Sequence, residues 1–211
     1  MTYLRNGIGI PATGGFIPKG LPSHNDTIGY SYDSEKAKEL ITEFKTKTGI
    51  ANPEITLTTT SNYLSFCEYI QRELQKVGLT IQVDVVPAAT LKDAKANGKV
   101  DMFRASWVAD YPDAENYLSL YYSKNFAPNG PNYTHFESAA FDALFEQSYT
   151  ETNPELREKL YTTMDSLVMQ QAPVVVMFYD EVVRFTRKNV SGLGINPINL
   201  LDLKHVKKTA N

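Results

Sequence analysis

One cysteine, three histidines and a single tryptophan in 211 residues leave little material for several kinds of chemistry. The lone Cys67 excludes an internal disulfide and any cysteine-based zinc site. It falls in an amphipathic helical pattern beside Phe66 and Ile70, where a free thiol behaves as a small inert hydrophobe. His24, His135 and His205 stand far apart with no HxxxH or HExxH spacing, so solvated or structural roles suit them better than a metal site. No apolar run approaches the roughly 18 residues that span a bilayer; the longest clear one is Ala172 to Tyr179. The opening Met1-Thr2-Tyr3-Leu4-Arg5-Asn6-Gly7 has neither the basic leader nor the apolar core of a secretion signal. Taken alone, this start indicates a cytoplasmic protein or an excised piece. A net charge of -3 gives no electrostatic reason to expect nucleic acid or an anionic membrane surface as partner. There is no internal repeat, low-complexity segment, Gly-rich phosphate loop or nucleophile motif, and the basic end around Lys207 and Lys208 is short enough to be a solvated tail.

What is present is a series of alternating patterns. Residues 1–32 are irregular and rich in Gly and Pro, as expected of a covering or connecting segment. Asp33 or Ser34 then caps a helix carrying Ala37, Leu40, Ile41, Phe44 and Thr48 on one stripe, up to Gly49. Glu54 to Thr60 alternates as a strand. Ser61-Asn62 opens a helix with Leu64, Cys67, Ile70, Leu74 and Val77 on one side, and Gly78 ends it. Leu79 to Val86 is a β-branched strand, Thr90 caps a short helix from Leu91 to about Asn97, and a third strand follows at Val100. Strand, helix, strand, helix, strand predicts crossovers feeding a mainly parallel sheet. Further helices are predicted from Ala114 to Tyr122, from Ser138, and from Asn153-Pro154, a capping Asn before a first-position Pro, as far as Pro173. Val174 to Tyr179 is apolar at every position and reads as an interior strand, with Glu181 to Arg187 as its hairpin partner or continuation. From Asn189 through Gly192, Gly194, Asn196 and Pro197 the pattern dissolves.

The most informative run is residues 100–113. Two β-branched residues and two aromatics over residues 100–108 predict a buried strand, with Asp101, Phe103, Ala105 and Trp107 on one face and Met102, Arg104, Ser106 and Val108 on the other. Pro112 lacks an amide hydrogen and stops the ladder, leaving Asp110 and Tyr111 in a turn at the sheet edge, where ligands of open α/β sheets tend to sit.

The order of these elements and the wording around Trp107 resemble the C-terminal lobe of the extracytoplasmic solute-binding proteins of peptide ABC transporters, family 5, which includes oligopeptide-, dipeptide- and nickel-binding proteins. The resemblance covers nearly the whole chain. It is carried by Tyr32-Asp33-Ser34-Glu35-Lys36-Ala37-Lys38-Glu39-Leu40, by the stretch from Tyr69 to Leu79, by Ser106-Trp107-Val108-Ala109-Asp110-Tyr111-Pro112-Asp113, by Asn132-Tyr133, by Phe141-Asp142-Ala143-Leu144 and by Gln171-Ala172-Pro173-Val174-Val175-Val176. It implies a periplasmic-binding-protein-like (type II) α/β lobe with a mixed, mainly parallel sheet flanked by helices. The implied division is a connecting segment at 1–32, a substrate-binding lobe at 33–188 and a C-terminal segment at 189–211 returning toward a missing lobe. The implied protein is not an enzyme, carries no cofactor, captures oligopeptides or dipeptides, hands them to ABC transporter permease subunits and is a monomer. It would be periplasmic or extracytoplasmic, either free or as a lipoprotein, with membrane contact only through an anchor or the transporter. In oligopeptide-binding members the Asp of the matching Trp-x-x-Asp motif, Asp110 here, pairs with the peptide's N-terminal ammonium, and the Arg three residues before the Trp, Arg104 here, can meet a peptide carboxylate.

The residue chemistry is compatible with those roles. A buried ammonium needs a fixed charged acceptor, and the planar fork of Arg104 suits a carboxylate. Trp107 and Tyr111 offer apolar walls that tolerate many side-chain shapes. Plainer readings stand beside these: Asp110 as a turn or helix cap, Arg104 as partner of Asp101 or Asp84, Trp107 as core, and Asp113 as a helix-start residue. So do other functions, namely a hydrolase using Asp110 with Asp113 or Asp101 as an acid/base pair, a lobe for a metal chelate, oligosaccharide or haem, or an interaction module using loop 123–135.

Overall fold

The Asp33 carboxylate accepts the Lys36 N–H at 2.8 Å, and Gly49, at φ 73°, returns its own N–H to the Lys45 carbonyl. Local chemistry of this kind sets the boundaries throughout the computed structural model, which describes residues 5–196 and 199–210. The readings made at Met1 to Leu4 and at Pro197 lie outside the described residues. In chain order the elements are β1 (Ile10–Pro11), α1 (Ser34–Thr48), β2 (Glu54–Thr59), α2 (Leu64–Lys76), β3 (Thr80–Val85), α3 (Ala88–Ala96), β4 (Met102–Phe103), α4 (Glu115–Leu118), α5 (Ala139–Thr150), α6 (Pro154–Gln171), β5 (Phe178–Tyr179), β6 (Val190–Ser191) and β7 (Lys207–Lys208). They fall into two units, one of Met1–Gly29, Trp107–Leu118 and Ala143–Asn211, the other of Tyr30–Ser106 and Ser119–Asp142.

The second unit holds the expected parallel sheet, in the order β3-β2-β4. Glu54 to Thr59 pairs in register with Thr80 to Val85, and Leu57 and Thr58 pair with Met102 and Phe103 on the other side. Leu57, Ile81 and the fully buried Cys67 of α2 form a core, with Ile55, Ile70, Leu74, Val83 and Met102 packed around it. Because β2 is central, Leu57, Thr58 and Thr59 are all buried, which overrides the alternation read from the sequence. Helix α3 starts at Ala88 behind Pro87, ahead of the expected Thr90 cap. No residue of α1 is buried, and Leu40 and Phe44 on its stripe are exposed. In the 119–142 part, Asn132 is fully buried: its amide donates to the Tyr122 and Phe136 carbonyls and accepts from Thr134 and the Phe136 N–H, knotting the loop.

Two strand readings need correction. Only Met102–Phe103 of the stretch 100–108 is strand; from Arg104 onward the side chains find partners outside the ladder. Of Val174 to Tyr179, only Phe178–Tyr179 pairs, antiparallel with Ile10–Pro11, and Val175 is 69 % exposed. Uninterrupted hydrophobicity signals that cover suits both faces, but β1 is all that pairs there among the described residues. The stretch 181–187 is irregular, without the hairpin.

The first unit is closed around Asp165, which lies fully buried midway along α6. Its carboxylate accepts the Phe16 N–H at 2.7 Å and the Ile17 N–H at 3.3 Å. Tyr179 donates to the Gly15 carbonyl at 2.7 Å, and His24 stands edge-on to the Tyr179 ring. Burial pushes the Asp165 carboxyl above the usual carboxylate range, against the pull of the Phe16 and Ile17 N–H groups and of His24. Gly15 permits this closeness, since a Cβ there would stand 2.0 Å from the Asp165 Oδ2. Helix α6 begins as read: Asn153 accepts the Glu155 and Leu156 N–H groups, with Pro154 in the first turn.

Candidate functional site

Residues 107–113 form a loop whose shape is set by one amide. Asn116, buried in α4, accepts the Trp107 Nε1–H at 2.8 Å and the Asp110 N–H at 3.2 Å on the same Oδ1. Trp107 is half-buried and Asp110 is exposed. Among the described residues the Asp110 carboxylate accepts no hydrogen bond, so it does not fill the capping role open to it in the sequence; its own N–H goes to Asn116 and the helix-start N–H of Glu115 goes to Asp113. Tyr111, just after it, donates its hydroxyl to the Glu115 carboxylate. Burial first, then that carboxylate, raises the Tyr111 hydroxyl above its usual range.

Asp113 has the structural role that its position suggested. One oxygen accepts the Glu115 N–H at 2.9 Å and the other pairs with Arg157 at 3.0 Å, fastening the start of α4 to α6. The Arg157 guanidinium lies 5.0 Å from the Tyr161 ring centroid, and burial, then Asp113, pushes the Tyr161 hydroxyl up. With both Asp113 oxygens engaged, the acid-pair reading has lost one of its members. Across residues 107–116 the loop thus offers one unengaged carboxylate between an indole and a phenol.

In the second unit, Arg104 follows β4 directly. Its guanidinium lies 3.6 Å over the Tyr63 ring and donates to the Ser106 Oγ at 3.2 Å. Neither Asp101 nor Asp84 pairs with it, which corrects that reading: Tyr63, arriving in the 3-10 turn Ser61–Tyr63, takes the planar face of the cation and leaves its donors at the sheet's carboxyl edge. Sequence reasoning missed Lys95, whose ammonium lies 4.2 Å over Tyr133 and 5.7 Å over Phe103 and whose pKa is lowered by burial, then by Lys92. It also missed Asn116. No pattern in the sequence marked it, since its burial and its two donors appear only in the fold.

A family model for bacterial extracellular solute-binding proteins, family 5, in its middle section, matches residues 1–129. The chain belongs to this family. The di/tripeptide-binding protein 4 of Pseudomonas aeruginosa (strain UCBPP-PA14) is 26 % identical over 200 residues, which cover 92 % of this family 5 chain and 37 % of that protein. The glutathione-binding protein GsiB of Escherichia coli (strain K12) is 26 % identical over 198 residues, 90 % of this chain and 38 % of its own. This family 5 chain therefore spans little more than a third of the curated relatives that it matches. The fold is that of a dipeptide-binding protein from Pseudoalteromonas sp. SM9913 in complex with Met-Leu (TM-score 0.80, 21 % identity, 99 % of this chain and 42 % of that one). It is equally that of Burkholderia pseudomallei OppA (TM-score 0.81, 22 % identity, 100 % and 42 %). Among the described residues no helix is long and apolar enough to cross a membrane.

Proposed function

We propose that this chain is one lobe of a longer, extracytoplasmic solute-binding protein that captures short peptides for uptake, and that Asp110 anchors the peptide's N-terminal ammonium. The observation that carries the reading is the Asp110 carboxylate, exposed and, among the described residues, unengaged, although its own backbone N–H is fixed. An ammonium brings three donors to a group with full accepting capacity, and the bond is charge-assisted. Trp107 and Tyr111 supply apolar area beside it without selecting one side chain. Arg104, supported on Tyr63, is proposed to take a carboxylate of the ligand. The share of the relatives' length supports the lobe reading, and the ligands in the relatives' names, di- and tripeptides and glutathione, support peptides. The C-terminal segment 189–211 is proposed to return toward the remainder of the protein, whose partners are ABC transporter permeases, with the binding protein itself a monomer. No bond is broken in this cycle of capture and release.

Calorimetry on the protein in its full natural length, with trialanine and N-acetyl-trialanine, tests the anchor. Loss of one charge-assisted bond of about 1.5–3 kcal/mol predicts roughly 10- to 100-fold weaker binding of the acetylated peptide. Asp110→Asn should erase most of that difference. Equal affinities for the two peptides in the unaltered protein would sink the proposal.

A further inference from the structure

We infer that Asn116 is the positioning residue of the Trp107–Asp110 loop, holding the ammonium anchor by its backbone so that the carboxylate stays free for ligand; the ligand half of this rests on the function proposed above. The indole Nε1–H and the Asp110 N–H can only donate, so the Asn116 atom facing both must be the amide oxygen. One buried acceptor therefore ties the ring of Trp107 to the backbone of Asp110. Asn116 is only 5 % exposed, and its backbone N–H is fastened to the Asp113 carbonyl at 3.2 Å. Asp113 in turn is bonded to Arg157 of α6, so the loop is referred to the long helix.

The chemical consequence is a division of labour. In a turn of this kind an Asp side chain ordinarily accepts nearby backbone N–H groups. Here Asn116 accepts the N–H of Asp110 itself, and Asp113 accepts that of Glu115. Among the described residues the Asp110 carboxylate has no partner, while its backbone N–H is held. A site held this way needs less rearrangement on binding than a flexible loop would. Removing the Asn116 oxygen leaves two donors without their partner, and the loop loses its reference to α4.

The test uses Asn116→Leu, which removes the acceptor, and Asn116→Asp, which keeps it. Trp107 is the only tryptophan, so its emission reports on its own N–H bond without interference. In the 211-residue chain, Asn116→Leu should shift that emission and Asn116→Asp should return it. In the full-length protein, Asn116→Leu should reduce the preference for trialanine over N-acetyl-trialanine by about 10-fold, and Asn116→Asp should restore it. A folded Asn116→Leu variant with unaltered emission or unaltered preference overturns the inference. If that variant does not fold, hydrogen exchange in the unaltered chain decides: slow exchange of the Trp107 indole and Asp110 amide, kept in Asn116→Asp, supports the clamp, and exchange at the unprotected rate overturns it. Should the unaltered protein show no preference for the free amine, the anchoring role of Asp110 fails, while emission and exchange still judge the clamp.

Discussion

Replacing Gly15 with Ala adds one methyl group where the first unit has no room for it. The new Cβ would lie 2.0 Å from the Asp165 Oδ2, 2.5 Å from its Cγ and 2.7 Å from the Ile28 Cδ1. Gly15 does not have a positive φ, so the backbone itself accepts an alanine and the penalty is one of contact. Either the carboxylate swings away or the segment lifts off α6. The first outcome breaks the bonds from the Phe16 and Ile17 N–H groups, each worth about 1.5–3 kcal/mol as a bond to a charged acceptor. The second loses the Tyr179–Gly15 bond as well. Reduced entropy of the unfolded chain returns about 0.4–1 kcal/mol. The net expectation is a loss of about 2–5 kcal/mol, measured by urea unfolding at neutral pH. Gly194→Ala is the control, since nothing stands within 4 Å of a Cβ there, and it should be neutral or stabilising by the entropic amount alone. If the Asp165 carboxylate is the obstacle, Gly15→Ala combined with Asp165→Ala should cost clearly less than the sum of the single changes. A loss below about 1 kcal/mol for Gly15→Ala, or strict additivity in the pair, would refute the reasoning.

Asp165 also sets a pH dependence. Folding raises its pKa, so over the window from the unfolded value near 3.9 up to the folded one the native chain binds more protons than the unfolded chain. Its contribution to stability is therefore greatest below that window, falls as pH rises through it, and is constant above. Subtracting the unfolding profile of Asp165→Asn from that of the unaltered protein should expose this downward slope, and a flat or rising difference contradicts it. Cys67, fully buried in the sheet core, should react with a thiol reagent only as fast as the second unit unfolds; immediate stoichiometric labelling in native buffer would place it elsewhere.

Much of this architecture was legible because it is written in local rules. Asp33, Asn153, Gly49 and Gly78 act where capping chemistry puts them, and two crossovers force the parallel order around β2. Periodicity could not tell how far a strand runs once competing partners exist. β4 ends at Phe103, and just beyond it Arg104 finds Tyr63 and Ser106, and Trp107 finds Asn116, pairings that join residues with no shared pattern. Trp107 and Asp110 do lie together on one loop, but the sequence did not reveal what organises it: a buried Asn looks like any polar residue until its two donors are seen. Lys95 escaped notice for the same reason, its aromatic supports being Phe103 and Tyr133 from separate segments.

The bond between Phe16 and Asp165 joins residues 149 positions apart. A ribosome adding about 5–20 residues per second delivers the acceptor roughly 7–30 s after the donor. Throughout that interval residues 14–17 have no carboxylate to close on, whereas β2, β3 and β4 are complete once Phe103 has emerged. The parallel sheet can thus form during synthesis, and the first unit is sealed only once α6 has been made. A nascent chain stalled before α6 would carry a finished sheet and, around Gly15, two N–H groups still without the acceptor that closes them.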